Sequence, residues 1–251
     1  MDSLIENIAI ATTTFYKPEQ KVGQLRMKLA RESVREATDL GYKIVVVDGG
    51  SSDEFLREIE RYGAVVEAEE KGTMGTGRRH AISRAAELGK IVAWTEPEKN
   101  SYISQIKKTA IPVHEGRADL VVPTRPSLDS YPTSQQHAEK FGNQVWYELT
   151  GIRLDMWIGP RTWRSDLSHY FTQYDGIKAG FGDKWEAIFL PVMKMHHDGK
   201  KVIAVDIDYT HPQEQTNLEE GNMEFTGKRL IQLNNLLPAL ETYWKSLKSA
   251  K

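Results

Sequence analysis

Two carboxylates two residues apart, Glu96-Pro97-Glu98, directly follow the short apolar run Ile91-Val92-Ala93-Trp94. With Pro97 fixing the turn they can converge on one side, and magnesium is commonly held by one or two carboxylates together with substrate phosphates. An acidic surface turn balanced by Lys99 is the other reading of the same residues. A third carboxylate, Asp48, ends the run Lys43-Ile44-Val45-Val46-Val47 and precedes Gly49-Gly50-Ser51-Ser52-Asp53. There it can accept a hydrogen bond from a uracil imide or a ribose hydroxyl while the glycines let backbone approach a ligand, or it can cap a turn. The stretch Lys71-Gly72-Thr73-Met74-Gly75-Thr76-Gly77-Arg78-Arg79-His80 joins glycines to an arginine pair at a helix start. Its spacing is wrong for a dinucleotide fingerprint. Arg78 and Arg79 can meet a phosphate there, helped by backbone N–H groups, or lie solvated on a loop. An acid, an arginine pair and a two-carboxylate turn together suit a nucleoside diphosphate bearing a sugar.

The second half carries a sparser set. Asp155, Gly159-Pro160-Arg161 and Trp163-Arg164 cluster, and Gly180-Phe181-Gly182-Asp183-Lys184-Trp185-Glu186 places Asp183 near a helix start. A carboxylate there can deprotonate an acceptor hydroxyl or cap the helix. His211 precedes Pro212 at a strand end, where it can complete a cation's shell or hydrogen-bond within a turn. His196 and His197 are adjacent on an expected helix, face different ways and make a poor metal site. There is no cysteine, which excludes disulfides, thiolate catalysis and cysteine-ligated zinc.

These residues need strands and helices to hold them. The strand Ile8–Ala11 runs into Thr12-Thr13-Thr14-Phe15-Tyr16, and Val22, Leu25, Leu29, Ala30, Ala37 and Leu40 then recur at helical spacing before Gly41. Ser51 and Glu54 form a capping-box pattern for a short helix, Ala64–Val66 reads as the next strand, and a helix spans about Gly77–Leu88. Strand and helix alternate through Trp94, as a mainly parallel, helix-flanked α/β sheet requires. Ligands of such sheets bind at the carboxyl ends of the strands, where the acids above fall. Beyond it, a helix including Ile103–Ile111, a strand Leu120–Pro123, a helix Gln135–Leu149, another from about Asp183, a half-exposed strand Val202–Tyr209 and a long helix Phe225–Leu247 are expected, with Pro238 kinking the last. The reading is one domain: residues 1–123 a nucleotide-binding half, 124–215 an acceptor half, and 216–251 a C-terminal helix.

With 251 residues, 39% of them hydrophobic and 27% charged, the chain has the composition of a soluble globular protein. A net charge of -2 gives no global electrostatic case for nucleic acid. No apolar run is long enough to cross a membrane, and Met1–Asn7 lacks the features of a signal peptide, so a cytoplasmic location is expected.

Taken in order, the motifs resemble those of the family 2 glycosyltransferases, most closely the pattern of the polyprenyl-phosphate sugar transferases, here without a membrane anchor. The loop Thr12–Tyr16, the Asp48–Asp53 turn, Gly77-Arg78-Arg79-His80 and Glu96-Pro97-Glu98 match the family's nucleotide loop, acidic turn, arginine segment and Asp-X-Asp turn. Thr124-Arg125 and Asp155…Gly159…Arg164 are similar to later motifs. The resemblance implies a GT-A type, Rossmann-like fold and transfer of a sugar from a nucleoside-diphosphate sugar to a hydroxyl acceptor. It implies Thr12, Phe15, Asp48, Arg79 and Glu96 on the donor, and Arg125, Asp155 and Arg161 on acceptor or phosphate. Asp183, or Glu186 in its stead, would be the catalytic acid–base group. Glu98 and His211 would hold a divalent cation, magnesium or manganese. Expected partners are the donor and acceptor, no nucleic acid, and room for a homo-oligomer. Two other readings use the same residues: a sugar-phosphate nucleotidyltransferase, whose glycine-rich loop would normally follow the first strand, and a non-catalytic nucleotide-sugar-binding relative.

Overall fold

Strands β1 (Ile8–Thr14), β2 (Lys43–Asp48), β3 (Val65–Ala68), β4 (Ile91–Trp94), β5 (Leu120–Thr124), β6 (Arg161–Arg164) and β7 (Val202–Asp206) form one sheet in the order β3-β2-β1-β4-β6-β5-β7. The computed structural model describes residues 3–69 and 72–249, so Met1, Asp2 and Lys71 of the stretches quoted above lie outside the described residues. Helices α1 (Ser3–Glu6), α2 (Lys21–Asp39), α3 (Asp53–Arg61), α4 (Met74–Leu88), α5 (Ile106–His114), α6 (Thr133–Thr150), α7 (His169–Thr172), α8 (Glu186–His197), α9 (Gln213–Glu219) and α10 (Met223–Ser249) complete the chain.

The apolar run in β2 is buried on both faces, with Ile44 through Val47 at most 2% exposed, as helix-covered parallel strands require. Three local readings shift. Ser52, not Ser51, caps α3 by accepting from Phe55 N, which frees Ser51 Oγ to accept from Tyr16 N at 3.0 Å and pin the loop after β1. Helix α4 begins at Met74 rather than Gly77, because Thr73 and Thr76 close a reciprocal capping box around Gly75. Helix α8 begins at Glu186, which leaves Asp183 in the preceding loop.

Strand β6 had no sequence expectation. Its four residues begin and end with arginine, so it shows neither an apolar run nor a clear alternation. It forms because β4 and β5 each leave an open edge, and it pairs antiparallel with both while every other pairing is parallel. That orientation matters for the site. Arg161, the first residue of β6, lies opposite Trp94 at the end of β4, so the start of β6 joins the carboxyl edge of the parallel strands. Below that edge, Trp163 stacks on Phe171 at 4.3 Å and donates its indole N–H to Ser168 Oγ at 3.0 Å. The strand order reverses between β1 and β4, which places the ligand crevice outside their carboxyl ends. Among the described residues no helix is long and apolar enough to cross a membrane.

Helix α6 is seated by a close approach at Gly142, where a β-carbon would fall inside van der Waals contact with the Trp157 indole. Gly142→Ala should therefore destabilise the fold by about 1–3 kcal/mol through overpacking. Without that contact, alanine would stabilise the helix interior by up to about 1 kcal/mol. The sign of the change in urea denaturation decides between them.

Candidate active site

Tyr16 follows β1, Asp48 ends β2, Glu96 and Glu98 follow β4, and Arg161 starts β6, so five chemically active residues from four segments share one sheet edge. The Asp48 carboxylate is 5% exposed and built into its own turn. Its Oδ1 accepts from Thr14 Oγ1 at 2.6 Å, and its Oδ2 accepts from the backbone N–H groups of Gly50 and Ser51, each at 2.7 Å. Phe15 stands 60% exposed beside Gly49 and Gly50, offering a ring face at the cleft mouth. Thr12 corrects an expectation. It is 1% exposed and donates to Thr95 O at 2.7 Å, so it ties β1 to the end of β4 and does not line the cleft.

The arginine pair is occupied by protein. Arg79 grips Asp183 with both terminal nitrogens, at 2.6 and 3.0 Å, and also donates to Tyr174 O at 3.1 Å. Thr73 Oγ1 donates to the same carboxylate, and Arg78 donates to Lys184 O. The loop carrying Asp183 is thus fastened to the first turns of α4 by three side chains. Glu186 lies behind it, 3% exposed, accepting from Lys184 N at 3.1 Å. Burial, reinforced by Glu186 and Asp183, pushes the Tyr174 hydroxyl's pKa far up. Arg78 lies over Trp94, 5.5 Å from the ring centroid, and burial lowers its pKa against the pull of Glu96, Asp183 and Glu186.

Glu96 has a buried Oε2 with no hydrogen-bond partner. Its carboxylate fills the space that a side chain at Gly159 would take, and both Arg78 and Arg161 bear on it electrostatically. The same device recurs at Gly75, which leaves room for Asp183, and at Gly182, which leaves room for Glu186. Arg161 corrects a second expectation. It is 0% exposed, donating to Pro160 O at 2.6 Å and Met156 O at 2.5 Å, so its guanidinium is held by its own loop. Burial pushes its pKa down to about 10, with Glu96 and Asp155 working against that.

Arg125 and Asp155 correct a third. Arg125 bonds Asp155 through Nε at 2.7 Å and Nη2 at 2.6 Å, and Nη2 lies 2.6 Å from Glu139. Its side chain is 1% exposed, so this guanidinium is a buried joint between the two acids. Burial works to lower the Arg125 pKa, but Glu139, Tyr131 and Asp155 outweigh it and hold it well above the ordinary value. Burial likewise works to raise Asp155, and Arg125 overrides it downward.

Glu98 Oε1 lies 3.8 Å from Arg26 Nε, beyond hydrogen-bond length. Glu98 also adds to the burial that raises the pKa of the Tyr16 hydroxyl. His211 stacks on Tyr131 at 4.2 Å, is 5% exposed, and has no partner on either ring nitrogen. Burial first, then Lys99, Arg229, Arg125 and Arg26, push its pKa down to about 2, so the ring is neutral. Among the described residues no three His, Cys, Asp or Glu side chains gather as a ready-made metal cage. His196 is elsewhere, with Nε2 3.2 Å from Thr150 O.

Sequence reading missed Glu69, whose carboxylate occupies the space beside both Gly49 and Gly77, within 2.6 and 2.7 Å of where their β-carbons would stand. The glycines were the available signal, since each marks a place where a neighbour needs the room. It also missed Arg26, which lies 3.8 Å from both Glu98 and Glu219 on a helix whose surface charge looks ordinary.

The sequence profile described as glycosyl transferase family 2 matches residues 27–178. No curated protein matches the chain. Among solved structures, glucosyl-3-phosphoglycerate synthase of M. tuberculosis is similar at 14% identity and a TM-score of 0.62, over 91% of this chain and 78% of that one. The Mycobacterium tuberculosis enzyme in complex with Mn2+, UDP-glucose and phosphoglyceric acid aligns with a TM-score of 0.65 at 14% identity, over 94% of this chain and 80% of that one. Its complex with Mg2+ and UDP aligns with a TM-score of 0.57 at 13% identity, over 92% and 79%. At such identities the likeness is one of fold: a mostly parallel sheet flanked by helices, of the GT-A type.

The Arg125 joint gives a stability test. Arg125→Ala leaves Glu139 and Asp155 buried without their cation and should cost about 3–5 kcal/mol in denaturant unfolding. A loss under about 1 kcal/mol would mean that water reaches the two carboxylates.

Proposed function

The chain belongs to glycosyltransferase family 2 and is a nucleotide-sugar-dependent glycosyltransferase, and we propose that its donor lies across the switch point between β1 and β4, with the nucleoside toward Asp48 and Phe15 and the diphosphate toward Glu96 and Glu98. The observation that carries this placement is the gathering of Tyr16, Glu96 and Glu98 outside the carboxyl ends of those two strands. Phe15 supplies an exposed ring for a base to stack on. Asp48 keeps its turn in shape through Gly50 and Ser51 and retains lone pairs for a ribose hydroxyl or base N–H.

A divalent cation fits the residues present. His211 is a neutral, buried imidazole with both nitrogens idle, and Glu98 is not locked by Arg26. Two side chains suit a magnesium or manganese ion that arrives with diphosphate oxygens of its own. When bound, it would offset the charge that grows on the leaving diphosphate. Asp183 is the proposed base for the acceptor hydroxyl. It must first release the Thr73 hydroxyl, while Arg79 keeps hold and orients it. Glu186 backs the same loop. The acceptor enters from the side of Asp183, and the fastened loop keeps water from that face.

The acceptor is proposed to be small and hydroxyl-bearing, of the kind named for the M. tuberculosis enzyme. Transfer is favoured over the nucleotidyltransferase reading because a Ser51-pinned aromatic loop, not a glycine-rich one, follows β1.

The placement is tested by calorimetry of nucleoside diphosphates with and without manganese, on the parent chain and Glu98→Gln. The parent should bind one of them more tightly with manganese, and Glu98→Gln should lose at least about tenfold of that gain, or about 1.4 kcal/mol. An undiminished manganese effect in the variant removes Glu98 from the cation. For Asp183→Asn, turnover should fall about 100-fold or more while donor affinity holds, as expected for loss of a general base. Unchanged turnover would exclude that role.

A further inference from the structure

At the corner where β2 and β3 end, Asp48 and Glu67 are spent on the protein. Asp48 is taken up by Thr14 and by the N–H groups of Gly50 and Ser51. Glu67 meets His80 Nε2 at 2.6 Å and accepts from Arg84 Nε at 2.7 Å. Glu69 is different. Among the described residues its carboxylate accepts no hydrogen bond and pairs with no cation. The fold nevertheless fixes where it stands. Asp48 and Ala68 lie opposite each other at the ends of β2 and β3, and Glu69 N donates to Asp48 O at 2.7 Å, which carries the pairing one residue past the strand. The side chain is partly exposed. Its Oε2 lies 2.6 Å from where a β-carbon of Gly49 would stand, and its Oε1 lies 2.7 Å from the same point at Gly77. Phe15 Cδ2 is 3.5 Å from that position at Gly49. An uncommitted carboxylate and a 60% exposed aromatic ring therefore meet over one glycine.

An ionised carboxylate has two acceptor oxygens and no proton to give. It discriminates between bases by the edge each one offers. Guanine sets two donors side by side, the N1–H and the 2-amino group, at a spacing that both oxygens can take. Uracil sets a single imide N–H between two carbonyl oxygens, so the second carboxylate oxygen meets a like charge. Adenine and cytosine each set an amino group beside a ring-nitrogen lone pair, with the same conflict. The matched pair is charge-assisted and bidentate. The mismatched bases lose a bond and gain a repulsion, and specificity is built from both.

We propose that Glu69 is the residue that selects the base of the donor, and that the donor is a guanosine-diphosphate sugar. The guanine ring stacks on Phe15 and shares its N1–H and 2-amino group between the two Glu69 oxygens. This assignment rests on the placement of the nucleoside toward Phe15 and Asp48. Within that placement the two acids divide the work. Asp48, with both oxygens already engaged by its turn, is left to the ribose. Glu69, with neither engaged, reads the base. Gly49 and Gly77 are what permit it, because a side chain at either position would occupy the space of the carboxylate.

The test is calorimetry on the full chain, in magnesium, with GDP, IDP, UDP and ADP as probes. The proteins are the parent, Glu69→Gln and Phe15→Ala, each checked by its thermal melt. The parent should bind GDP at least about tenfold more tightly than UDP or ADP. IDP, which keeps the N1–H but lacks the 2-amino group, should fall between. Glu69→Gln keeps the size of the side chain and replaces one acceptor by a donor. It should lose about tenfold on GDP and hold or gain on UDP, whose adjacent N–H and carbonyl match an amide. A parent that binds UDP as tightly as GDP overturns the proposal, and so does a Glu69→Gln protein whose affinities for all four change by the same factor. Phe15→Ala separates this inference from the placement beneath it. If it weakens all four probes while the parent shows no preference for GDP, the base assignment falls and the placement stands. If neither Phe15→Ala nor Glu69→Gln alters any affinity, the nucleoside lies elsewhere and both fall.

Discussion

The guanidinium of Arg125, sealed between Asp155 and Glu139, is the constraint on which the cleft depends. It joins three segments that are otherwise separate in sequence: the end of β5, the middle of α6 and the loop before β6. Removing these charges from water is expensive, so the joint holds only while all partners are in place. Asn143 from α6 donates to Asp155 at 3.0 Å and accepts from Met156 N at 2.8 Å, extending the joint along the helix. The loop fixed in this way carries Met156, Pro160 and Gly159. The first two hold Arg161 by their carbonyls, and the third leaves the space that Glu96 fills. A buried ion pair far from solvent thus sets where a cleft carboxylate stands.

The cleft itself is organised by charge in a low-dielectric setting. Glu96 lies among Arg78, Arg161 and Lys99; burial lowers the pKa of the two arginines, while at Lys99 burial is outweighed by Tyr131, Glu96 and Glu139, which hold its pKa up. Oriented charges that need no rearrangement during reaction are what an enzyme uses to meet charge that develops on a leaving group. The glycines beside Glu96, Asp183 and Glu186 serve the same end by removing side chains where a carboxylate must pack against backbone.

The loop bearing Asp183 is held at both of its faces. Arg78, Arg79 and Thr73 close it onto α4, and Phe181 packs edge-on against Tyr243 of α10 at 5.4 Å. An arginine pair that reads in sequence as a phosphate clamp therefore works here as a fastener between α4 and the loop before α8. Arg79 orients the Asp183 carboxylate while doing so.

The sequence by itself determined the α/β alternation, the parallel strands through Trp94, and the family. Those follow from local periodicity, from turn residues, and from motifs read in order along short stretches. It also placed the acids at the strand ends, because a carboxylate directly after an apolar run has no other place to go. It did not determine β6, whose Arg161-Thr162-Trp163-Arg164 becomes a strand only because two neighbours leave it a gap. Nor did it separate buried joints from ligand contacts. Thr12, Arg125, Asp155 and Arg161 carry the right chemistry for a site, yet each finds its partner within the protein, across the sheet, between segments or in its own loop. The tertiary structure alone brought Arg26 of α2 within 3.8 Å of Glu219 of α9, from opposite ends of the chain. Burial and partnership are properties of the packed chain, so residue type fixes what a side chain can do, and packing decides whether its charge is met by protein or left for a ligand.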